Sequence, residues 1–122
     1  MTKGRIIGLV IIVIIVILQL IPTDKPEVIK SNPNDLLFND QMSDSVSILL
    51  KNACYDCHSN ETKYPWYSYV APVSWLVVRD TRIGRENLNF SDWETYSKVD
   101  KAKILDELIE EVEEGNMPMP IY

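Results

Sequence analysis

The stretch Cys54-Tyr55-Asp56-Cys57-His58 decides how the rest of this chain folds. Its two cysteines are three positions apart, so in one helical turn both thiols project to the same side. Two thiols in that arrangement can add to the two vinyl groups on one edge of a haem, and the next histidine can reach the iron. The C-x-x-C-H spacing therefore predicts one covalently attached haem c, held by both cysteines, with His58 as proximal iron ligand.

Three other chemistries use closely spaced cysteines. A redox pair of the thioredoxin type needs a βαβ context, and the sequence has no convincing strand pattern. A zinc site takes four protein ligands, or three with an open position, whereas this chain has two cysteines, one histidine and no second cluster. A disulfide between Cys54 and Cys57 remains an alternative.

The apolar residues around this stretch recur at helical spacing, which predicts an all-α domain. A helix over residues 40–53, capped by Asp40 or Ser43, leads into the first cysteine. Pro72 can begin a second helix that Gly84 ends. Ser91 can cap a short third helix.

The clearest helix is predicted over residues 98–114. Its apolar stripe consists of Val99, Ala102, Leu105, Leu108, Ile109 and Val112. Gly115 follows as a natural stop. Because His58 is the only histidine, a methionine is the expected second iron ligand. Met117 is favoured for its fixed distance from the helix end, and Met119 is the second choice.

The N-terminus is predicted to be an uncleaved membrane anchor. Residues 6–21 are almost all Ile, Val and Leu, and Lys3 and Arg5 precede them, which places the N-terminus in the cytoplasm. A cleaved signal peptide is the alternative, but the expected small-residue cleavage site is missing. These features predict an anchor over residues 1–22 in the cytoplasmic membrane, an extended tether over 23–39, and a haem domain over 40–122 that faces the periplasm.

The charge of the chain restricts its partners. Its formal net charge is −6, and all 18 acidic residues follow the apolar segment. Such a surface disfavours nucleic acid, whose phosphates need Lys and Arg. It favours a redox partner with a basic docking patch. One hypothesis places that contact at the acidic residues Glu110, Glu111, Glu113 and Glu114, and simple solvation is the alternative.

Two further groups are candidates for the haem pocket. Trp66 and Tyr67 belong to an aromatic run that could wall the haem, although ordinary core packing is the more common reason for any single residue of this kind. Arg82, with Arg79 and Arg85 at three-residue spacing, could face the haem propionates. A solvated helix face is the alternative for these arginines.

Several stretches together resemble the bacterial haem-binding domain family of small membrane-anchored single-haem proteins. The similar stretches are Cys54 to Ser59, Tyr64-Pro65-Trp66-Tyr67, Ala71-Pro72-Val73-Ser74-Trp75, Gly84-Arg85, Leu88 to Trp93 and Gly115-Asn116-Met117-Pro118. The resemblance implies a periplasmic cytochrome-like domain with Met117 as distal ligand. Members of this family usually continue with a histidine-proline segment and a closing helix, whereas this sequence stops at Tyr122.

The expected function is one-electron transfer without enzymatic activity. A haem ligated by His58 and Met117 has no open position. The first alternative is a sensor or enzyme whose iron binds a small ligand, although a peroxidase needs a distal acid–base group and no second histidine exists. The second alternative is a structural haem subunit of a respiratory complex.

Overall fold

The computed structural model describes residues 2–38 and 41–121. Within these residues the chain forms five α-helices, two 3-10 helices and no strand, which confirms the all-α class. The α-helices are α1 (Lys3–Gln19), α2 (Asp44–Ala53), α3 (Tyr55–His58), α4 (Val73–Asn87) and α5 (Lys98–Glu113). The 3-10 helices are Trp66–Tyr69 and Phe90–Thr95.

The apolar core lies directly behind the Cys54–His58 turn. Tyr55, Leu88, Phe90 and Trp93 are buried and form one cluster. The rings of Tyr55 and Phe90 are stacked with centroids 5.1 Å apart, so the turn is packed against the start of the second 3-10 helix. Around this cluster lie the partly buried residues Leu36, Leu37, Leu50, Cys54, Tyr96, Ile104 and Leu108.

The prediction of a single-pass membrane protein is wrong. Helix α1 has 17 residues. At 1.5 Å per residue it is about 25 Å long, whereas the hydrocarbon core of a bilayer is about 30 Å thick. Nowhere in residues 2–38 and 41–121 is there a helix long and apolar enough to cross a membrane. The predicted location, with a haem domain held at the periplasmic face of the cytoplasmic membrane by this helix, is corrected by the same finding.

The end of α1 is held against the rest of the chain by one side chain. The Nε2 of Gln19 donates to the carbonyl of Ala71 at 3.1 Å, and the Ala71 N–H donates back to Gln19 Oε1 at 3.1 Å. A primary amide can make this pair of bonds because it carries a donor and an acceptor side by side. The contact fixes where the following segment begins.

The segment predicted to be a tether lies along the domain. Three side chains donate to its backbone carbonyls: Tyr64 Oη to that of Pro26 (3.0 Å), Arg82 to that of Asp24 (2.9 Å) and Arg85 to that of Glu27 (2.8 Å). In the other direction, the Ile29 N–H of the segment donates to the Asn60 carbonyl (2.8 Å). The first three bonds satisfy backbone carbonyls of the segment, and the fourth satisfies one of its N–H groups. Residues 22–29 have no regular secondary structure and residues 33–34 and 36–38 form turns, so the segment is irregular, and its hydrogen bonds join it to the domain. Residue 39, the last of the predicted tether, lies outside the described residues.

Helix α2 begins later than predicted, and helix α5 packs a different face against the core from the one predicted. Helix α2 begins at Asp44 with Ser43 as N-cap, whose side chain makes no capping bond, and Asp40 lies outside the described residues. Helix α5 begins at the predicted residue and ends one residue earlier than predicted, and its apolar stripe is rotated. Ile104 and Leu108 contact the core, while Val99 is 77% exposed.

The end of α5 is built as predicted. Gly115 has φ +75°, a backbone conformation that glycine adopts without strain. The Gly115 N–H donates to the Val112 carbonyl at 3.2 Å, and the Asn116 N–H donates to the Glu111 carbonyl at 2.9 Å. These two bonds form a Schellman motif, which satisfies the last carbonyls of the helix and turns the chain away from its axis.

Candidate functional site

The two cysteines and the histidine share one tight turn between α2 and α3. Cys54 ends α2 and begins α3, and its carbonyl accepts hydrogen bonds from the N–H groups of Cys57 (3.2 Å) and His58 (2.9 Å). Both thiols are free and half-buried. The backbone therefore sets the spacing of the two cysteine side chains and the position of the His58 Cα.

The His58 ring is oriented by the end of α4. Its Nδ1 lies 2.9 Å from the Gly84 carbonyl oxygen and 3.1 Å from the Leu88 carbonyl oxygen. Because carbonyl oxygens only accept, Nδ1 carries the proton and donates to both. The lone pair is then on Nε2, which is the atom free to bind a metal. Orientation of a ligating histidine through its other nitrogen is the usual arrangement at metal centres.

Gly84 allows α3 and α4 to approach each other this closely. A Cβ at this position would lie 2.5 Å from the Cys57 carbonyl oxygen and 3.2 Å from the Cys57 Cβ. The prediction that Gly84 ends the helix is wrong, since α4 runs on to Asn87. The physical reason for this glycine is the contact with the cysteine turn, not helix termination.

A cleft opens beside the histidine, between the cysteine turn, α4 and the segment after α5. It is lined by Ala53, Cys57, His58, Asp80, Ile83, Gly84, Asn87, Met117, Pro118 and Met119. The structure therefore brings the predicted proximal ligand together with both methionines proposed from the sequence. Apart from Asp80 and Asn87, the walls are formed by apolar side chains, one glycine and the ligand candidates.

The segment after α5 carries both methionines into this cleft. The Met117 N–H donates to the Glu111 carbonyl at 3.0 Å, so this residue is tied to the last turn of α5. The chain bends at Met117 and Pro118, and both methionines line the cleft.

Burial changes the acidity of both thiols. Desolvation raises the pKa of Cys54, and desolvation together with the Asp56 and Asp80 carboxylates raises the pKa of Cys57. Thiols of disulfide oxidoreductases have lowered pKa values, so this environment differs from that of a thiol redox centre. Within the described ranges, no group of three or more His, Cys, Asp or Glu side chains could hold a metal ion by itself.

The other predicted pocket residues lie elsewhere. Trp66 is 77% exposed and Tyr67 is 45% exposed, and neither lines the cleft. Arg82 donates to the carbonyl of Asp24 and is 3.6 Å from its carboxylate, so it holds the segment after α1. The structure does not bring these three side chains to His58.

Sequence reasoning missed the residues that α4 contributes. Asp80, Ile83 and Asn87 line the cleft, and they lie at the three- and four-residue spacing that shares one helix face. Asp80 also forms an ion pair with Arg79, with 2.7 Å between Asp80 Oδ1 and Arg79 Nη2. Helical periodicity places these residues on the same face of α4 as Gly84. The sequence alone does not show that this face meets the cysteine turn, so the periodicity could be used only once that contact was known.

These features define a small all-α protein in which His58, Cys57 and two methionines line one largely apolar cleft, with Cys54 on the adjoining turn. A large flat apolar group with a metal that takes nitrogen and sulfur ligands suits such a donor set. In a scan of family models, the haem-binding domain matches residues 13–122. The chain therefore belongs to the haem-binding domain family, and haem is its cofactor. No curated protein and no solved structure matches it significantly.

Proposed function

We propose that this chain attaches its haem covalently through Cys54 and Cys57, uses His58 as proximal iron ligand, and carries single electrons without catalysing a reaction. The observation that carries this proposal is the position of His58 Nδ1, which donates to the Gly84 and Leu88 carbonyls. This arrangement leaves Nε2 for the iron. It also fixes the ring on the same turn that holds both thiols.

Attachment requires no oxidant or leaving group. The S–H bond of each cysteine adds across one vinyl C=C of the haem: sulfur bonds to one carbon, and the hydrogen goes to the other. The free, half-buried state of both thiols supports this reaction, because a disulfide would have to be reduced first. The result is haem c, in which two thioether bonds resist denaturation.

The bound haem supplies an iron that takes up and releases one electron. The chain's own residues determine how stable each oxidation state is. Ile83 and Ala53 line the cleft with apolar surface that excludes water. A methionine thioether opposite His58 favours the reduced iron and raises the reduction potential.

The acidic end of α5 supports a redox partner with a basic docking patch. Glu110, Glu111, Glu113 and Glu114 are exposed, and they lie on the same helix end that leads to Met117. Charges beside the cleft would bring a basic partner close to the haem edge and make association faster at low salt. In this proposal the partner is a protein and not a nucleic acid.

Binding of a small ligand at the iron is a second candidate function. Met117 is 36% exposed, and its backbone N–H donates to the Glu111 carbonyl of α5. If no methionine holds the sixth position, carbon monoxide or nitric oxide can occupy it. The chain would then act as a sensor instead of a carrier.

The test is an absorption spectrum of the protein expressed together with a c-type haem attachment system, oxidised and dithionite-reduced, with a denaturing gel stained for haem. Haem that stays with the chain after denaturation, and a low-spin spectrum with the weak long-wavelength iron–methionine band, are expected. A Cys54→Ala/Cys57→Ala variant is the matched control and should lose the gel stain. Covalent haem with a high-spin spectrum that shifts with carbon monoxide would favour the sensor, and no covalent haem would overturn the attachment proposal.

A further inference from the structure

Two methionines, not one, line the cleft that contains His58. Met117 and Met119 are both among its lining residues, with Pro118 between them. An iron held by four haem nitrogens and His58 has one remaining axial position. Two thioethers of the same chain are thus available for a single site.

Neither methionine has a clear structural advantage. Met117 has the better-fixed backbone, because its N–H donates to the Glu111 carbonyl at 3.0 Å, but its side chain is 36% exposed. Met119 has the more enclosed side chain, which is half-buried, but it is two residues further from the anchored end of the segment. Methionine side chains are unbranched and adapt to irregular space, so either thioether can turn towards the iron.

We infer that Met117 and Met119 exchange as the distal iron ligand, so that either one alone completes the coordination. This inference rests on the proposed function, since it requires haem held by His58. It assigns a second thioether to the metal site. The segment of residues 117–119 then offers two alternative sulfur ligands for one iron position. No bond other than the iron–sulfur bond forms or breaks in the exchange, and the iron keeps its oxidation state.

The test compares four purified haem-loaded proteins: the unchanged chain, Met117→Ala, Met119→Ala and the double variant. We expect the long-wavelength iron–methionine band in both single variants and its loss in the double variant. Carbon monoxide should bind the reduced double variant at least tenfold faster than either single variant. Proton spectra of the reduced protein should show two upfield-shifted methionine methyl signals in the unchanged chain and one in each single variant.

Met42→Ala is the matched control, because Met42 is half-buried and lies outside the cleft lining. The iron–methionine band of this variant and its rate of carbon monoxide binding should equal those of the unchanged chain. Loss of the band in one single variant, with no effect of the other, would overturn the inference and assign the site to one methionine. A band that survives in the double variant would overturn it as well.

The haem-stained denaturing gel separates this inference from the proposed function. If all four proteins retain stained haem, attachment stands and the band alone decides between one ligand and two. If the unchanged chain carries no covalent haem, the proposed function fails and the inference fails with it. A haem-loaded chain with no iron–methionine band overturns the exchange while attachment stands.

Discussion

On one side of the cleft, His58 stands on a turn that the backbone of α4 holds through two carbonyls and one close glycine contact. On the other side, Met117 and Met119 stand on a segment that leaves α5 and whose last described residue, Ile121, is 87% exposed. The first region depends on contacts between parts of the chain that are far apart in sequence. The second depends on a local helix end. The comparison teaches that the fold fixes the orientation of His58 and leaves the segment of the two methionines less constrained, as the proposed ligand exchange requires.

The largest expected effect comes from the core behind the proximal side. Phe90 is 2% exposed, stacks on Tyr55, and meets the His58 ring edge-on with centroids 6.5 Å apart. Phe90→Ala should lower the free energy of unfolding by about 3–5 kcal/mol, because it removes a buried ring and leaves a cavity. Urea denaturation of the haem-loaded protein measures this. Val99→Ala, at a position 77% exposed, should change it by less than about 0.5 kcal/mol; equal costs at both sites would contradict the proposed core.

The next effect concerns the contact between α3 and α4. Gly84→Ala places a methyl group 2.5 Å from the Cys57 carbonyl, and that backbone must move apart from α4. Overpacking of this kind costs about 1–3 kcal/mol, of which the better helix propensity of alanine returns at most about 1 kcal/mol. The bonds from His58 to α4 should lengthen, and the yield of covalent haem should fall.

Gly8→Ala is the matched control, since nothing lies within 4 Å of a Cβ there. It should leave both haem yield and the iron–methionine band unchanged. A Gly84→Ala protein as stable and as well loaded as this control would show that the contact is not needed to place His58.

The cysteine turn, the all-α class and the glycine stop after α5 could be predicted because each depends on a few neighbouring residues. The C-x-x-C-H spacing and Gly115 are local signals of this kind. The role of Gly84 could not be predicted in the same way, because it is set by a carbonyl 27 positions earlier in the chain. A single sequence contains no mark of that contact.

The apolar pattern was also insufficient to choose the inner face of α5. Ile104 and Leu108 contact the core, while Leu105 and Ile109, which the stripe predicted to be inside, are about half exposed. Helical periodicity gives the width of an apolar face but not which part of it meets a small core. The same limit explains the failure of the anchor prediction, since apolar composition alone does not give a helix the length to span a membrane.

A smaller effect is expected in the pH dependence of stability, and it comes from the core on the His58 side of the cleft. The Tyr55 hydroxyl donates to Asp35 Oδ1 at 2.8 Å, and burial followed by this bond raises the pKa of Tyr55 above its ordinary value. The folded protein keeps this proton at pH values where the unfolded chain loses it, so stability should fall as the pH rises above about 10. Tyr55→Phe should cost about 1–2 kcal/mol at pH 7 and make the alkaline fall shallower. Urea midpoints at pH 7, 9 and 10.5 measure both, and an unchanged slope would contradict the role of this hydroxyl.

The smallest effect on stability is expected at the distal side, and it separates the two regions most directly. Gly115→Ala forces a side chain into φ +75°, which costs about 1 kcal/mol, and weakens the turn that directs Met117 into the cleft. Because the core and His58 lie on other elements, the covalent haem should stay at the level of the unchanged chain while the iron–methionine band loses amplitude. Gly4→Ala in α1, where nothing lies within 4 Å, serves as control. If haem attachment fell and the band per haem stayed constant, the helix end would be supporting the attachment turn, and the two sides of the cleft would not be independent.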